Sequence, residues 1–503
     1  KKLNGLEVSH TDYSLKFLYT LINSGNLKKA FNYSRKLEKQ KLDSFESHLV
    51  TGIFYLKNSD IGLAKRYFQK AKTRNSRLIL NNYVSNSLYN WSNLSNLNQA
   101  TSDLKKLDKR FNNLKKIQNV FLNCFFENPN TKNLFNKLIS DNQTDFSRYY
   151  YFYASFLVSL GNTKEAINKI RSGLKNSPRN LLLSQYIIDL NKNQNLSAFD
   201  CKKEEHVAAE ILYITANALA AQSIYPLSNF YLNLAKYLNK DFISFDTLLA
   251  ENYFMNNNYD KAKTIYDNLN KKGEAFQWFA SKQIAKILLK DDTNKTKALK
   301  LVSSAYEDLL NKNIYDTFDY AEFLKRNEKY DEAINYYSKL IQSIDKTHPL
   351  YPEITDGRGV AYERLGEWDN AEKDLLASLK ADPNQAYVIN YLAYSWIEKG
   401  IKIEKSLKML EKANNLKSND PYIIDSLGWA LFKLKKYEKS KTYLQMAVQL
   451  MPADPIVNDH YGDVLWKNGN EIQARYYWNY VLNLEKAEKD LKDLIQKKLI
   501  KGL

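Results

Sequence analysis

Asp356, Asn390, Asp425 and Asp459 recur through this 503-residue chain at steps of 34, 35 and 34 residues. Around them fall Glu363, Tyr394, Trp429, Phe432, Asp463 and Trp466, so that carboxylates alternate with large rings along one stretch. If helices bring these residues to one face, the acids and amides can bond the backbone amides of a polypeptide while the rings pack its side chains. Such a face would prefer basic or neutral segments. A local reading stands beside this one: an Asp in the first turns of a helix is stabilised by the helix dipole and needs no ligand.

Bond-making chemistry has less support. The five histidines, His10, His48, His206, His348 and His460, do not pair at i, i+4, and no zinc-protease helix signature is present. Nor is there a glycine-rich phosphate loop, a dinucleotide fingerprint or a nucleophile elbow. His460, in "VNDHYGD", has Asp459 and Asp463 close in sequence and is expected to be a surface or groove histidine. Cys124 and Cys201 are the only cysteines, too few for a disulfide framework or a metal site. We expect no catalytic residue, no metal, no cofactor and no enzyme activity.

The elements that must position the ladder follow from composition and period. A chain this long exceeds one ordinary core and suggests several domains or a repeat array. With only 15 glycines and 9 prolines, helices are favoured over sheets, and 44% apolar residues suffice for an extended core. The formal charge of +18 is expected to be scattered, because acidic residues interleave with the lysines. No run of 18 apolar residues is present. The first residue is Lys1 rather than Met, so a processed or truncated N-terminus is expected, with any signal or lipid anchor removed.

Gly428, in "DSLGWALFKL", costs about 1 kcal/mol relative to Ala inside a helix, and a period explains it. Gly359, Ala393, Gly428 and Gly462 form a series of small residues. A second series follows 12 or 13 positions later at Ala371, Ser406, Ser440 and Ala474, and a large residue four positions on at Leu375, Leu410, Leu444 and Trp478. Two antiparallel helices approach closely only where facing side chains are small and a bulky neighbour fills the space beside them. With prolines such as Pro383 and Pro452 closing the units, this 34-residue pair resembles the tetratricopeptide repeat. Weaker copies run backwards through Ala321/Ala333, Ala285/Ala298, Ala250/Ala262, Ala154/Ala166, Gly52/Ala64 and Ala30. Two degenerate units can occupy the three periods between Ala64 and Ala166.

The expected fold is all-α: an α-solenoid of about ten such antiparallel helix pairs forming a right-handed superhelix, with a C-terminal capping helix. We divide it into a degenerate solenoid at 1–190, a polar boundary at 191–212, a better-formed solenoid at 213–483 and the cap at 484–503. The cap carries Leu491, Leu494, Ile495 and Leu499 on a stripe.

The resemblance implies that the concave face is lined by the first helix of each repeat. It thus places Asp356, Glu363, Asn390, Tyr394, Asp425, Trp429, Phe432, Asp459, Asp463 and Trp466 in a partner-binding groove. Residues 359–478, with "GRGVAYERLGEWDNAEKDLLASLKADP" and "IIDSLGWALFKL", are similar to large, mostly α-proteobacterial tetratricopeptide proteins. Members usually carry an export signal, which implies a periplasmic or outer-membrane-facing scaffold, with the cytoplasm as the alternative. The expected function is a non-enzymatic scaffold for a protein or peptide partner, without a small-molecule substrate. Nucleic acid is not the expected partner, and membrane association is expected only through a missing signal or anchor. The alternatives are an accessory regulator of a cell-envelope enzyme, or an RNA- or polyanion-binding repeat protein. The latter should place Lys and Arg down one groove, where this sequence has Asp and aromatics.

Overall fold

The computed structural model describes residues 11–74, 79–141, 146–194 and 198–503. Residues 1–10, with His10, and residues 195–197 of the expected boundary lie outside the described residues. Among those described there is no strand; the chain is a succession of helices. It divides into two compact units, Lys1–Asn311 and Lys312–Leu503.

The first unit contains α1 (Thr11–Asn23), α2 (Leu27–Lys39), α3 (Phe45–Lys57), α4 (Ile61–Thr73), α5 (Ile79–Trp91), α6 (Leu97–Lys105), α7 (Asn112–Phe125), α8 (Thr131–Ile139), α9 (Tyr149–Ser159) and α10 (Thr163–Asn176). The two degenerate repeats expected between Ala64 and Ala166 are the pairs α5/α6 and α7/α8. A single helix, α11 (Leu181–Asn191), follows, and then come α12 (Glu204–Ala220), α13 (Tyr225–Leu238), α14 (Ser244–Met255), α15 (Tyr259–Leu269), α16 (Glu274–Leu288) and α17 (Lys295–Glu307).

This unit is not a plain stack. Helix α13 packs on α1 and α3, and α12 packs on α5. The Tyr19 and Phe230 rings meet at 4.8 Å, Tyr231 donates to Asn81 at 2.9 Å and Lys57 donates to the Leu238 carbonyl at 2.8 Å. The first helices of the leading repeats thus close around a later helix pair of their own chain. One contiguous core runs from Leu18 to Ile284.

The polar boundary expected at 191–212 is therefore corrected. Residues 204–212 lie in α12, where Val207, Ala209 and Leu212 are fully buried, and the division between units falls at 311/312. Their polar spacing misleads because hydrophobicity resumes inside the helix rather than at a domain edge. The cysteines are also corrected: Cys124 at the end of α7 and Cys201 before α12 form a disulfide, with Cα atoms 6.0 Å apart.

The second unit runs α18 (Ile314–Arg326), α19 (Tyr330–Ser343), α20 (Tyr351–Arg364), α21 (Trp368–Ala381), α22 (Ala386–Glu398), α23 (Ile403–Leu416), α24 (Pro421–Lys433), α25 (Tyr437–Leu450), α26 (Pro455–Lys467), α27 (Glu471–Leu482) and α28 (Lys489–Lys501). Here helices pack on their sequence neighbours, as in a repeat array, and the buried apolar residues form separate clusters. Punctuation is local. Asp420 and Asp454 cap α24 and α26 by accepting from the second and third backbone amides, and each is followed by a proline whose missing N–H would have no helical partner anyway. Gly366, Gly400, Lys435 and Gly469 take positive φ just after the first helices, reversing the chain.

The small-residue series is the contact line between paired helices. A Cβ on Gly428 would meet Leu444 Cγ at 2.7 Å, and one on Gly462 would meet Trp478 Cδ1 at 2.5 Å. Ser440 Oγ donates to the Gly428 carbonyl at 2.7 Å, tying the two helices at their closest approach. The described helices make thirteen consecutive pairs plus the single helices α11 and α28, where about ten pairs were expected.

Candidate functional site

All ten expected groove residues lie on first helices of the second unit: Asp356 and Glu363 on α20, Asn390 and Tyr394 on α22, Asp425, Trp429 and Phe432 on α24, and Asp459, Asp463 and Trp466 on α26. The structure divides them into a sealed stretch and an open one.

The sealed stretch is covered by α28. Lys498 donates to Asp459 at 2.6 Å and to the two oxygens of Asp463 at 2.7 and 2.9 Å, and Asp463 also accepts from Trp478 Nε1 at 3.0 Å. Only 7% of Lys498 is exposed, so its ammonium is held inside the protein, where a charge needs such partners. Ile495 drives this docking through its complete burial, while Leu491 and Leu499 pack partly buried beside it. Leu494, expected on the same stripe, points to solvent. Trp466 lies against Trp478 at 5.4 Å and beneath Gly502, where any side chain would collide with the indole.

One repeat earlier, His460 Nδ1 lies 3.0 Å from Asp425 Oδ2, and its ring stacks on Trp429 at 3.9 Å. Trp429 stacks on Phe432 at 4.7 Å and donates Nε1 to Glu398 at 2.6 Å. These geometries correct two expectations. His460 is buried rather than on the surface or in an open groove. Asp425, Trp429, Asp459 and Asp463 are buried too, the first two against the imidazole and the last two under α28.

Burial also changes the electrostatics. It raises the Asp463 carboxyl to about 6, with nearby Asp459 adding to the rise and Lys498 opposing it. Burial alone would depress the His460 imidazole, but the charge and hydrogen bond of Asp425, with Asp459 and Asp463 beyond, raise it above the ordinary value.

The open stretch begins upstream. Asp356, Glu363, Asn390 and Tyr394 are all half-buried. Glu363 accepts from Tyr391 Oη at 2.8 Å, and Glu322 accepts from Lys325 at 2.6 Å and from Tyr337 at 2.5 Å. Asp356 is raised to about 6 by burial, with Glu322 and Glu353 adding to the effect and Lys325 opposing it. The Asn390 side-chain carbonyl is buried without a partner among the described residues. Burial, then Glu398 and Asp425, keeps the Tyr394 phenol protonated. This surface can attract cations and accept hydrogen bonds; it presents no aligned nucleophile and base. Among the described residues no group of three His, Cys, Asp or Glu side chains could hold a metal.

Lys498, Tyr391, Glu398 and Glu322 escaped the sequence reading. Lys498 left one signal: it falls three residues after Ile495, on the face α28 buries. The other three lie on first helices but outside the positions that recur most regularly.

The tetratricopeptide repeat family matches the chain at residues 322–386 and 423–454. A tetratricopeptide repeat-containing protein of Pseudomonas aeruginosa is 28% identical over 119 residues, 23% of this chain, and the match spans only 19% of that relative's length. MamA from Desulfovibrio magneticus RS-1 is 20% identical, covering 36% of this chain and 99% of its own, with a TM-score of 0.31. A thermophilic repeat protein of Thermus thermophilus is 15% identical, covering 37% of this chain and 100% of its own, with a TM-score of 0.32. Both family matches lie in the second unit, where Gly359, Gly428 and Gly462 each meet a bulky residue across a helix pair, and the chain carries tetratricopeptide repeats at those residues.

Proposed function

We propose that the protein is a scaffold whose open stretch of first helices, α20 and α22, binds a protein partner presenting a lysine- or arginine-bearing helical segment. Tetratricopeptide repeats generally mediate protein–protein interaction, and the observation that carries the finer reading is Lys498. Where the acidic and aromatic face is filled, its occupant is an amphipathic helix delivering an ammonium to two carboxylates. Asp356, Glu363, Asn390 and Tyr394 continue that face without such a cover. A basic side chain beside Asp356 would offset the carboxylate's cost of burial, which gives the partner's charge an energetic role.

A photo-crosslinking residue at Tyr394 tests the reading against one at Tyr476, which is exposed on α27. A partner should crosslink at position 394 and not at 476. Asp356→Lys with Glu363→Lys should lower capture by at least about tenfold, as expected when like charges are placed in register. Equal labelling at both positions, or capture indifferent to the charge reversal, would reject the groove.

A further inference from the structure

The second helices of the first unit carry a surface that the groove reading leaves unused. Residues 1–311 hold 45 Lys and Arg against 27 Asp and Glu, whereas residues 312–503 hold 29 of each. The excess is concentrated. Helices α2, α4, α6, α8 and α10 carry 16 basic and 3 acidic residues, while the equivalent α19, α21, α23, α25 and α27 carry 9 of each.

Those three carboxylates are already engaged: Glu38 by Arg35 and Lys70, Asp103 by Lys106, and Glu165 by Lys132. The Glu38 and Glu165 bridges also tie α2 to α4 and α8 to α10. Lys28, Lys29, Arg66, Lys137, Arg171 and Lys175 are exposed along these helices. Since α12 and α13 fill the inner side of the leading repeats, the outer face is what this part of the unit offers a partner.

We propose that this basic face docks on the anionic headgroups of a phospholipid bilayer. Charge complementarity sets the class of partner, and two observations favour lipid over nucleic acid. No aromatic ring on the five helices is exposed among the described residues, so bases would find no platform to stack on. A disulfide such as Cys124–Cys201 persists chiefly in oxidising surroundings such as the periplasm or a cell surface, which border a bilayer. The five helices also expose no large apolar side chain, and no described helix is long and apolar enough to cross a membrane. The contact is therefore peripheral, electrostatic and screened by salt.

Co-flotation of the full chain with phosphatidylglycerol-rich vesicles, beside pure phosphatidylcholine vesicles, tests this. Binding is expected only to the former, with release in high salt. Lys28→Glu, Lys29→Glu, Arg66→Glu and Lys137→Glu combined should lower partitioning by on the order of 100-fold or more, because each basic residue at the surface contributes separately. A control of equal charge change in the second unit, Lys373→Glu, Lys380→Glu, Lys408→Glu and Lys439→Glu, should retain binding. Circular dichroism checks folding, and the corresponding glutamine set replaces the reversal if that variant unfolds. Equal binding to neutral vesicles, equal loss in both variants, or tighter binding to duplex RNA than to anionic vesicles would overturn the proposal.

Discussion

The two units use one helix-pair architecture to opposite ends. In the first, α12 and α13 occupy the inner side of the leading repeats, a single core joins residues more than 200 positions apart, and the net charge lies on the outer helices. In the second, each pair packs on its neighbours, charges balance, and the inner face keeps its acids and rings, covered only where α28 lies over it. A repeat that buries its concave side against its own chain can meet partners only with its outside. One that leaves its first helices largely uncovered keeps their acids and rings near the surface, and composition on each surface follows that choice.

The largest expected effect breaks the self-filled unit. Arg148, beside α9, forms a bidentate pair with Glu210 of α12 at 2.9 and 2.8 Å, with its guanidinium 3.9 Å from the centre of the Tyr213 ring. The Glu210 side chain is 1% exposed, so Arg148→Ala leaves a buried charge unpaired. The loss should be about 3–5 kcal/mol. Hydrogen exchange read peptide by peptide should show α9, α12 and α13 deprotected while α20 to α27 are unchanged. Joint loss of protection would show that the units do not unfold separately.

Next in size is the seal on the second unit. Lys498→Met keeps the apolar stem and removes the ammonium from between Asp459 and Asp463. The cost is expected at about 2–3 kcal/mol, below the full penalty for orphaned buried charge because Asp463, already raised, can take up a proton. Exchange should quicken in α28 and at Trp478 while α20 and α22 hold. An unchanged α28 would mean that Ile495 and its neighbours suffice for docking.

These two cases also show what the sequence can reveal. The second unit was legible because its contacts are nearest-neighbour: the interval from Gly428 to Ser440 is itself the contact, and Ser440 donates to the Gly428 carbonyl. In the first unit the helix pairs were legible but their closure on one another was not, because Tyr231 bonding Asn81 or α13 lying on α1 joins residues with no shared period. The face of acids and rings was half legible for the same reason. Periodicity placed Asp356, Asn390, Asp425 and Asp459 on one face but was blind to a lysine from outside the repeats arriving at its end. His460 read as a surface residue because its partner Asp425 is 35 positions away, one repeat earlier.

The smallest effect sharpens the contrast, and it is a difference of sign. His48 and His206 in the first unit are depressed by burial, and for His48 this outweighs the opposing carboxylate of Asp43. A histidine whose folded value is lowered contributes stability at neutral pH that is lost as pH falls through its ordinary value of about 6.5. His460 is raised, so its contribution is complete below about 6.5 and lost as pH rises through its higher folded value. Asp356 and Asp463, raised to about 6, act in the same direction between pH 4 and 6, because the folded chain holds their protons more tightly than the unfolded one. Acidification from neutral should therefore loosen the surroundings of His48 and His206 while tightening those of His460. Histidine proton resonances followed by nuclear magnetic resonance should titrate below the ordinary value for the first pair and above it for His460. If His460 titrated with the others, Asp425 would not be holding a charged imidazole against Trp429, and the ring stack alone would have to explain its place in the sealed stretch.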